Sequence, residues 1–162
     1  MGWGTNKIIG DDSTFEGGTG SWTQTQPFDV FESSGLDFHS GARSLHLLDG
    51  PPVIPRARIQ LSGPNLIAGK TYRAGIWLKN VVGKLNMEFY DAGGEPAAPW
   101  INMTAPVWTF FATELTCVTA GPCVIKLLNT DPPGATEQFV DDVALQQFIT
   151  VRPQYLPLMG VG

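Results

Sequence analysis

The sequence predicts an all-β protein, a sandwich of two antiparallel β-sheets. Three observations lead to this prediction. Apolar and polar residues alternate along much of the chain, which is the period of a strand with one buried face. The 19 glycines and 13 prolines among 162 residues divide the chain into short segments separated by turns. No segment longer than two turns has the helical period.

Each predicted strand is a row of mostly apolar residues at every second position, bounded by loop sequences. In chain order the inward rows are Leu45 and Leu47; Ala57, Ile59 and Leu61; Tyr72, Ala74, Ile76 and Leu78; Leu85, Met87 and Phe89; Phe111, Thr113, Leu115 and Cys117; and Cys123, Ile125 and Leu127. The loop sequences, each containing glycine, are residues 49–50, 63–64, 81–84, 91–94 and 131–134. Roughly eight strands at this spacing are typical of a sandwich.

The composition limits the class of function. A chain of 162 residues fits one domain, and a hydrophobic content of 43% excludes disorder. The net charge of −5 argues against nucleic acid, or an anionic membrane, as the main partner. No apolar run approaches the roughly 20 residues that span a bilayer, so membrane insertion is not expected. The first ten residues lack the basic start and apolar core of a secretory signal.

The two cysteines, Cys117 and Cys123, flank residues 118–122, which have the composition of a hairpin turn. We therefore expect them to face each other on adjacent strands. Two interpretations remain open, a disulfide bond and a pair of small core residues. Two cysteines are too few for a disulfide scaffold or a four-cysteine zinc site.

Five motifs follow one another along residues 11–147. They are Phe15-Glu-Gly-Gly followed by Trp22, HSGARSL at residues 39–45, LIAGKTYRAGIWLK at residues 66–79, Trp108 followed by Phe111, and FVDDVAL at residues 139–145. In this order they resemble the motifs of jelly-roll carbohydrate-binding modules, a superfamily of galactose-binding-like β-sandwiches. The resemblance implies a jelly-roll fold and a glycan-binding concave sheet face. It says less about function, because this fold serves many roles.

The outward positions of consecutive strands carry large polar and aromatic side chains, where small polar groups are usual. An aromatic ring can stack on the apolar face of a sugar, while planar polar side chains can pair with its hydroxyls. We therefore predict a glycan-binding groove, with a tryptophan from a loop as a further wall. The alternative is a solvated sheet face with one tryptophan under a loop. The candidate residues are Arg58, Gln60, Arg73, Trp77, Asn86, Glu88, Tyr90 and Trp100.

A second candidate site is a structural calcium ion. Calcium prefers oxygen ligands, and Glu16, Asp141 and Asp142 would lie side by side if the first and last strands pair. The resemblance implies calcium at this place, with backbone carbonyls near Ser40 and Gly41 completing the site.

Strand parity places Asp141 on the side of three apolar residues, Phe139, Val143 and Leu145. A buried carboxylate in such surroundings needs a cation or hydrogen bonds. The alternative to calcium is therefore that Asp141 accepts hydrogen bonds from backbone amides without a metal.

Motifs of catalysis are absent from the sequence. It contains no nucleophile elbow, zinc-protease motif, phosphate-binding loop or dinucleotide-binding fingerprint. Strand positions account for both histidines, His39 and His46, and none of the 15 acidic residues is singled out for glycoside hydrolysis. We predict that the protein is not an enzyme.

The two ends resemble the family least, and we predict an N-terminal arm at residues 1–10, a jelly-roll domain at residues 11–147 and an extended C-terminal arm at residues 148–162. Apolar arms favour docking on virion proteins or on other copies of the chain, the alternative being packing on the chain's own sandwich. The prediction is thus a non-catalytic virion component of a tailed bacteriophage, a capsid-decoration or tail-associated protein on the virion surface. It could bind cell-surface glycans. The alternative is an extracellular carbohydrate-binding module of a secreted enzyme that acts on plant polysaccharide.

Overall fold

The computed structural model describes residues 2–49, 58–94, 101–129 and 136–150, and these form eleven strands and one short helix. In chain order the elements are β1 (Gly2–Trp3), α1 (Asp11–Thr14), β2 (Thr23–Gln26), β3 (Val30–Ser34), β4 (Ser44–Asp49), β5 (Arg58–Leu66), β6 (Thr71–Val82), β7 (Leu85–Tyr90), β8 (Ile101–Met103), β9 (Thr109–Thr116), β10 (Gly121–Asn129) and β11 (Thr136–Ile149). None of the described helices is long and apolar enough to cross a membrane.

The strands form two antiparallel sheets, which confirms the predicted sandwich. The first sheet has the order β3-β4-β11-β6-β9, with β1 paired to the end of β11. The second sheet has the order β2-β5-β10-β7-β8. From β4 to β7, and again from β8 to β11, each strand lies in the opposite sheet from the one before it. The chain therefore crosses between the layers at these connections rather than forming local hairpins.

The core between the sheets consists of the predicted inward rows. Tyr72, Ala74, Ile76 and Leu78 of β6 are fully buried, and the rows of β4, β5, β7 and β10 join them in one cluster. Ala57 lies outside the described residues. The alternating pattern therefore identified the buried side of these five strands correctly, because one face must leave water when two sheets pack.

The start of the chain is part of the sandwich, which corrects the predicted separate N-terminal arm at residues 1–10. Gly4 N–H donates to the Gln147 carbonyl at 2.9 Å, and Lys7 N–H donates to the Leu145 carbonyl at 2.8 Å. The side chain of Asn6 accepts a hydrogen bond from Leu145 N–H at 2.8 Å. Gly2–Trp3 thus extend the first sheet, and the following residues are bonded along β11. At the other end, β11 continues through Ile149, and residues 151–162 of the predicted C-terminal arm lie outside the described residues.

The cysteines do not lie on adjacent strands, because the 118–122 segment crosses from the first sheet to the second. Cys117 follows β9, and Cys123 belongs to β10. Both are buried core residues with free thiols. Burial raises the pKa of Cys123 to about 11, which keeps the thiol protonated. The two cysteines form no disulfide bond in this structure. They are small core residues, as in the second interpretation given above.

Asp91 holds this crossing in place. Its Oδ2 accepts hydrogen bonds from the amides of Val118 and Thr119, both at 2.8 Å, and its Oδ1 accepts one from Gly93 N–H at 2.9 Å. These amide donors lower the pKa of Asp91, with the bond from Thr119 contributing most. The carboxylate therefore ties two predicted loops, 91–94 and 118–122, to each other.

We expect Asp91→Ala to lower the free energy of unfolding by about 2 kcal/mol, because three amides lose a charged acceptor. A lowered pKa in the folded state means that this contribution is present at neutral pH. It is lost as the pH falls below the ordinary carboxyl value of 3.8. Urea unfolding at pH 7 measures the effect, with Glu114→Ala, an exposed position on β9, as control. Equal stability of the two variants would contradict the proposed stabilising role of the Asp91 hydrogen bonds.

Candidate functional site

The predicted groove residues lie on two opposite surfaces of the sandwich, which corrects the prediction of one groove. Arg58 and Gln60 are on β5, and Asn86, Glu88 and Tyr90 are on β7, all in the second sheet. The remaining described candidates, Arg73 and Trp77, are on β6 in the first sheet. Their outward parity was correct, but β6 and β7 are consecutive strands in different sheets. Trp100 lies outside the described residues.

Six polar residues on the outer surface of the second sheet are here called the polar face: Arg58, Gln60, Asn86, Glu88, Tyr90 and Lys126. Strand β10 lies between β5 and β7, and its Lys126 is opposite both Gln60 and Glu88. Arg58 and Asn86 flank Leu128 in the next row. The sequence analysis missed Lys126, although its alternation with the buried Ile125 and Leu127 was a sufficient signal.

Three residues of the polar face form a compact group. The hydroxyl of Tyr90 donates a hydrogen bond to Glu88 Oε2, and Lys126 Nζ lies 4.4 Å from the centre of the Tyr90 ring. Glu88 is buried, whereas Tyr90 and Lys126 are half-buried. The arrangement compensates the buried carboxylate with a hydrogen bond and positions a cation over the aromatic ring.

The adjacent row of the polar face contains polar atoms that lack hydrogen-bond partners. Arg58 Nε and Asn86 Oδ1 are buried without a partner, as is Oε1 of Gln26, which is opposite Arg58 on β2. A buried donor or acceptor without a partner costs about 1–3 kcal/mol. A water molecule or a ligand can supply the missing hydrogen bond of such a group.

The outer surface of the first sheet is an aromatic face. Arg73 lies over the ring of Trp3 at 4.6 Å, and Trp77 contacts Phe110 with ring centres 5.7 Å apart. The imidazole of His39 stacks on Trp77, with centres 3.7 Å apart and planes inclined by 13°. Trp77 is therefore a packing residue beneath the loop that contains His39, which is the alternative described for it above.

Gly75 allows this packing. An added Cβ at Gly75 would be 2.4 Å from Cζ of Phe110 and 3.2 Å from the carbonyl oxygen of Phe111. The ring of Phe110 therefore lies directly over the glycine, between Arg73 and Trp77, which also face outward on β6.

We expect Gly75→Ala to lower the free energy of unfolding by about 1 kcal/mol, because the methyl group displaces the Phe110 ring. In a Phe110→Ala background the same change should be neutral or stabilising, since alanine has lower unfolded-state entropy than glycine. A double-mutant cycle measured by chemical unfolding gives the coupling between the two positions. Additive effects would contradict the packing role of Gly75.

The carboxylates predicted to bind calcium surround the loop of residues 39–43. Asp141 Oδ2 accepts hydrogen bonds from the amides of His39 and Ser40, both at 3.0 Å, and its Oδ1 accepts one from Asp142 N–H at 2.8 Å. Burial is the main reason that the pKa of Asp141 is raised, to about 6. Asp141 thus accepts hydrogen bonds from three backbone amides, one of the two ways in which its burial was expected to be compensated.

Glu16 contacts the same loop at another point. Its Oε1 accepts hydrogen bonds from the amides of Ala42 and Arg43, at 2.9 and 3.2 Å. Among the described residues, the group of three or more potential metal ligands with atoms within 4.8 Å of one another is His39, Asp141 and Asp142, and it does not include Glu16.

The ligand atoms of His39, Asp141 and Asp142 are not arranged as a calcium site requires. Asp141 Oδ2 already accepts two N–H bonds, and an imidazole nitrogen, which calcium does not favour, lies 2.7 Å from Asp142 Oδ2.

A bulge in β11 corrects the predicted parity of Asp141. The register with β6 shifts between Asp141 and Ala144, and Asp142 has a φ of 46°. Asp141 is opposite the outward Trp77, whereas Val143 and Leu145, after the bulge, belong to the core. Strict alternation across residues 139–145 failed because the bulge inserts an extra residue into the strand.

Comparisons with known proteins agree with this architecture. No protein-family profile and no curated protein matches the chain. Among solved structures, a family 16 carbohydrate-binding module matches with a TM-score of 0.67 and 19% identity, over 86% of this chain and 99% of that one. A second match is TmCBM61 in complex with β-1,4-galactotriose, with a TM-score of 0.66 and 19% identity, over 88% of this chain and 98% of that one. The fold is that of carbohydrate-binding modules.

A bacteriophage protein also shares the module fold. The enzymatically active domain of CBA120 tailspike protein 4 matches 88% of this chain with a TM-score of 0.62 and 19% identity, but the match covers only 21% of the tailspike chain. The chain therefore corresponds to one part of that larger protein. These matches confirm the jelly-roll sandwich implied by the sequence motifs, and at these identities they establish the fold alone.

Proposed function

We propose that the protein is a non-catalytic glycan-binding module, and that the polar face of its second sheet is the binding surface. The single observation that carries the proposal is a row of buried polar atoms without partners, Arg58 Nε and Asn86 Oδ1 on this face and Gln26 Oε1 beside it on β2. Hydroxyl groups of a sugar can both donate and accept hydrogen bonds, so one ligand can satisfy this mixture of donors and acceptors. The module fold supports the same function.

A glycan array, followed by calorimetric titration of the best ligand, tests the proposal. We expect Gln60→Ala to weaken binding about tenfold, because Gln60 is a partly exposed member of the face and can bond a sugar hydroxyl directly. Glu114→Ala, on the outer surface of the other sheet, should bind like the unmodified protein. An array without binding by folded protein, or equal binding by both variants, would reject the proposal.

A role in a bacteriophage particle is the second candidate function, and the match to a tailspike domain favours it. In this role the module would lie on the virion surface, contact other virion proteins or further copies of the chain, and hold host glycans. The alternative is an extracellular module of a polysaccharide-active enzyme. Deletion of residues 151–162 tests docking by the C-terminal segment. If the shortened protein associated with purified particles as well as the full chain does, the segment would have no role in docking.

Structural calcium at Glu16, Asp141 and Asp142 is a separate proposal, for which the acidic side chains around the 39–43 loop would have to rearrange from their present hydrogen bonds. Calcium that binds the folded protein raises the melting temperature by mass action, and EDTA reverses the rise. Asp142→Asn should abolish this response. A melting temperature that is the same with calcium and with EDTA would leave the hydrogen bonds of Asp141 and Glu16 as the complete account of the loop.

A further inference from the structure

We infer that the polar face selects an acidic glycan, a polysaccharide that carries carboxylate or sulfate groups. The inference rests on the proposed glycan-binding function and specifies its ligand. Although the whole chain has a net charge of −5, the defined polar face carries two cationic side chains, Arg58 and Lys126, and one carboxylate, Glu88. The charge of this face is therefore opposite in sign to that of the chain.

The two cations are available to a ligand. The ion pairs of the described residues are His39–Asp142, His46–Glu137 and Lys79–Asp37, none of which involves the polar face. Glu88 is buried and accepts a hydrogen bond from the hydroxyl of Tyr90, and none of these ion pairs joins it to either cation. Arg58 and Lys126 are both half-buried, and each therefore also has an exposed part.

Arg58 has the geometry and the unmet hydrogen-bonding capacity for an anion. Its Nε is buried without an acceptor, and a guanidinium group matches the two oxygens of a carboxylate or sulfate. Lys126 lies diagonally across from Arg58, since Lys126 is opposite Gln60 and Arg58 is opposite Leu128. Diagonal neighbours of this kind are about 7–8 Å apart, so a polymer with repeated charges can contact both.

Stacking on an aromatic ring is a weaker basis for recognition here. The aromatic ring of the defined polar face is Tyr90, and Lys126 lies over it. Trp77, the stacking residue expected from sequence, is on the opposite sheet beneath His39. With the ring covered, charge and hydrogen bonds remain as the main sources of affinity on the described face, which favours an acidic sugar over a neutral one.

Calorimetric titration with polygalacturonate, a sulfated galactan and neutral β-1,4-galactan tests the inference. We expect the acidic polymers to bind at least tenfold more tightly than the neutral galactan at low salt, and sodium chloride to remove this difference. Arg58→Gln and Lys126→Gln should each weaken acidic binding about tenfold. Arg58→Lys should retain part of the affinity, and Lys70→Gln, outside the polar face, should retain all of it.

The outcomes separate this inference from the proposed function. Preference for polygalacturonate or for the sulfated galactan identifies the anionic group as carboxylate or sulfate. Equal or tighter binding of the neutral galactan overturns the inference and leaves glycan binding intact. Acidic binding that Arg58→Gln and Lys126→Gln do not change also overturns it. An absence of binding to any glycan overturns both. The melting temperature of each variant shows whether it is folded.

Discussion

Replacing Asp141 with alanine is expected to lower the free energy of unfolding by about 3 kcal/mol, more than for Asp91, the other carboxylate here that accepts three amide hydrogen bonds. Asp141 is fully buried and accepts hydrogen bonds from three backbone amides. Two of these amides belong to the 39–40 segment, which lies over Trp77. Without the carboxylate these donors remain partly buried and unpaired, at about 1–3 kcal/mol each before the loop relaxes.

The same residue gives a pH dependence with a definite sign. Its pKa in the folded protein is raised from the ordinary 3.8 to about 6 by burial, so the folded state binds the proton more tightly than the unfolded state. The contribution of this group to stability is therefore fully present below pH 4 and is lost as the pH rises through 6. Asp141→Asn removes it, so this variant should be destabilised more at pH 5 than at pH 7.5.

Chemical unfolding at the two pH values measures this difference. Groups that the two proteins share cancel in the comparison, and Glu32→Gln, an exposed carboxyl on β3, controls for the loss of a charge. The assignment would be wrong if Asp141→Asn were destabilised equally at both pH values, or more at pH 7.5.

Replacing Trp77 with alanine should also lower the free energy of unfolding by about 3 kcal/mol, and it should leave glycan affinity unchanged. The indole stacks under His39 and contacts Phe110, on the face opposite to the proposed site. Loss of a large packed aromatic side chain accounts for the magnitude. For a chain of this size the melting temperature should fall by about 6–12 °C.

Differential scanning calorimetry and glycan titration on the same sample separate the two roles of Trp77. Trp77→Phe is the matched variant, because it keeps a ring under His39 and should retain much of the stability. A variant that kept its melting temperature but lost glycan binding would show that the aromatic face, and not the polar face, is the binding surface.

The sequence by itself determined the fold class and the buried side of most strands. Alternation identified Tyr72, Ile76 and Leu78 of β6 as core, because a residue next to a buried one in a strand must face the opposite way. The five motifs then predicted the jelly-roll fold, which the solved modules share. These properties depend on the order of residue types along the chain, which is known in full from one sequence.

The tertiary structure alone decided which outward residues share a surface. Trp77 and Glu88 are on consecutive strands, yet β6 and β7 lie in different sheets, so the predicted groove divided into two faces. The bulge after Asp141 similarly separated Asp141 from Val143 and Leu145, which strict alternation had placed on the same side of the strand. The period of two specifies a side of a strand, whereas the sheet to which that strand belongs depends on pairing between residues far apart in sequence. That pairing places Arg58 near Lys126, so that outward side chains of three separate strands lie on one face.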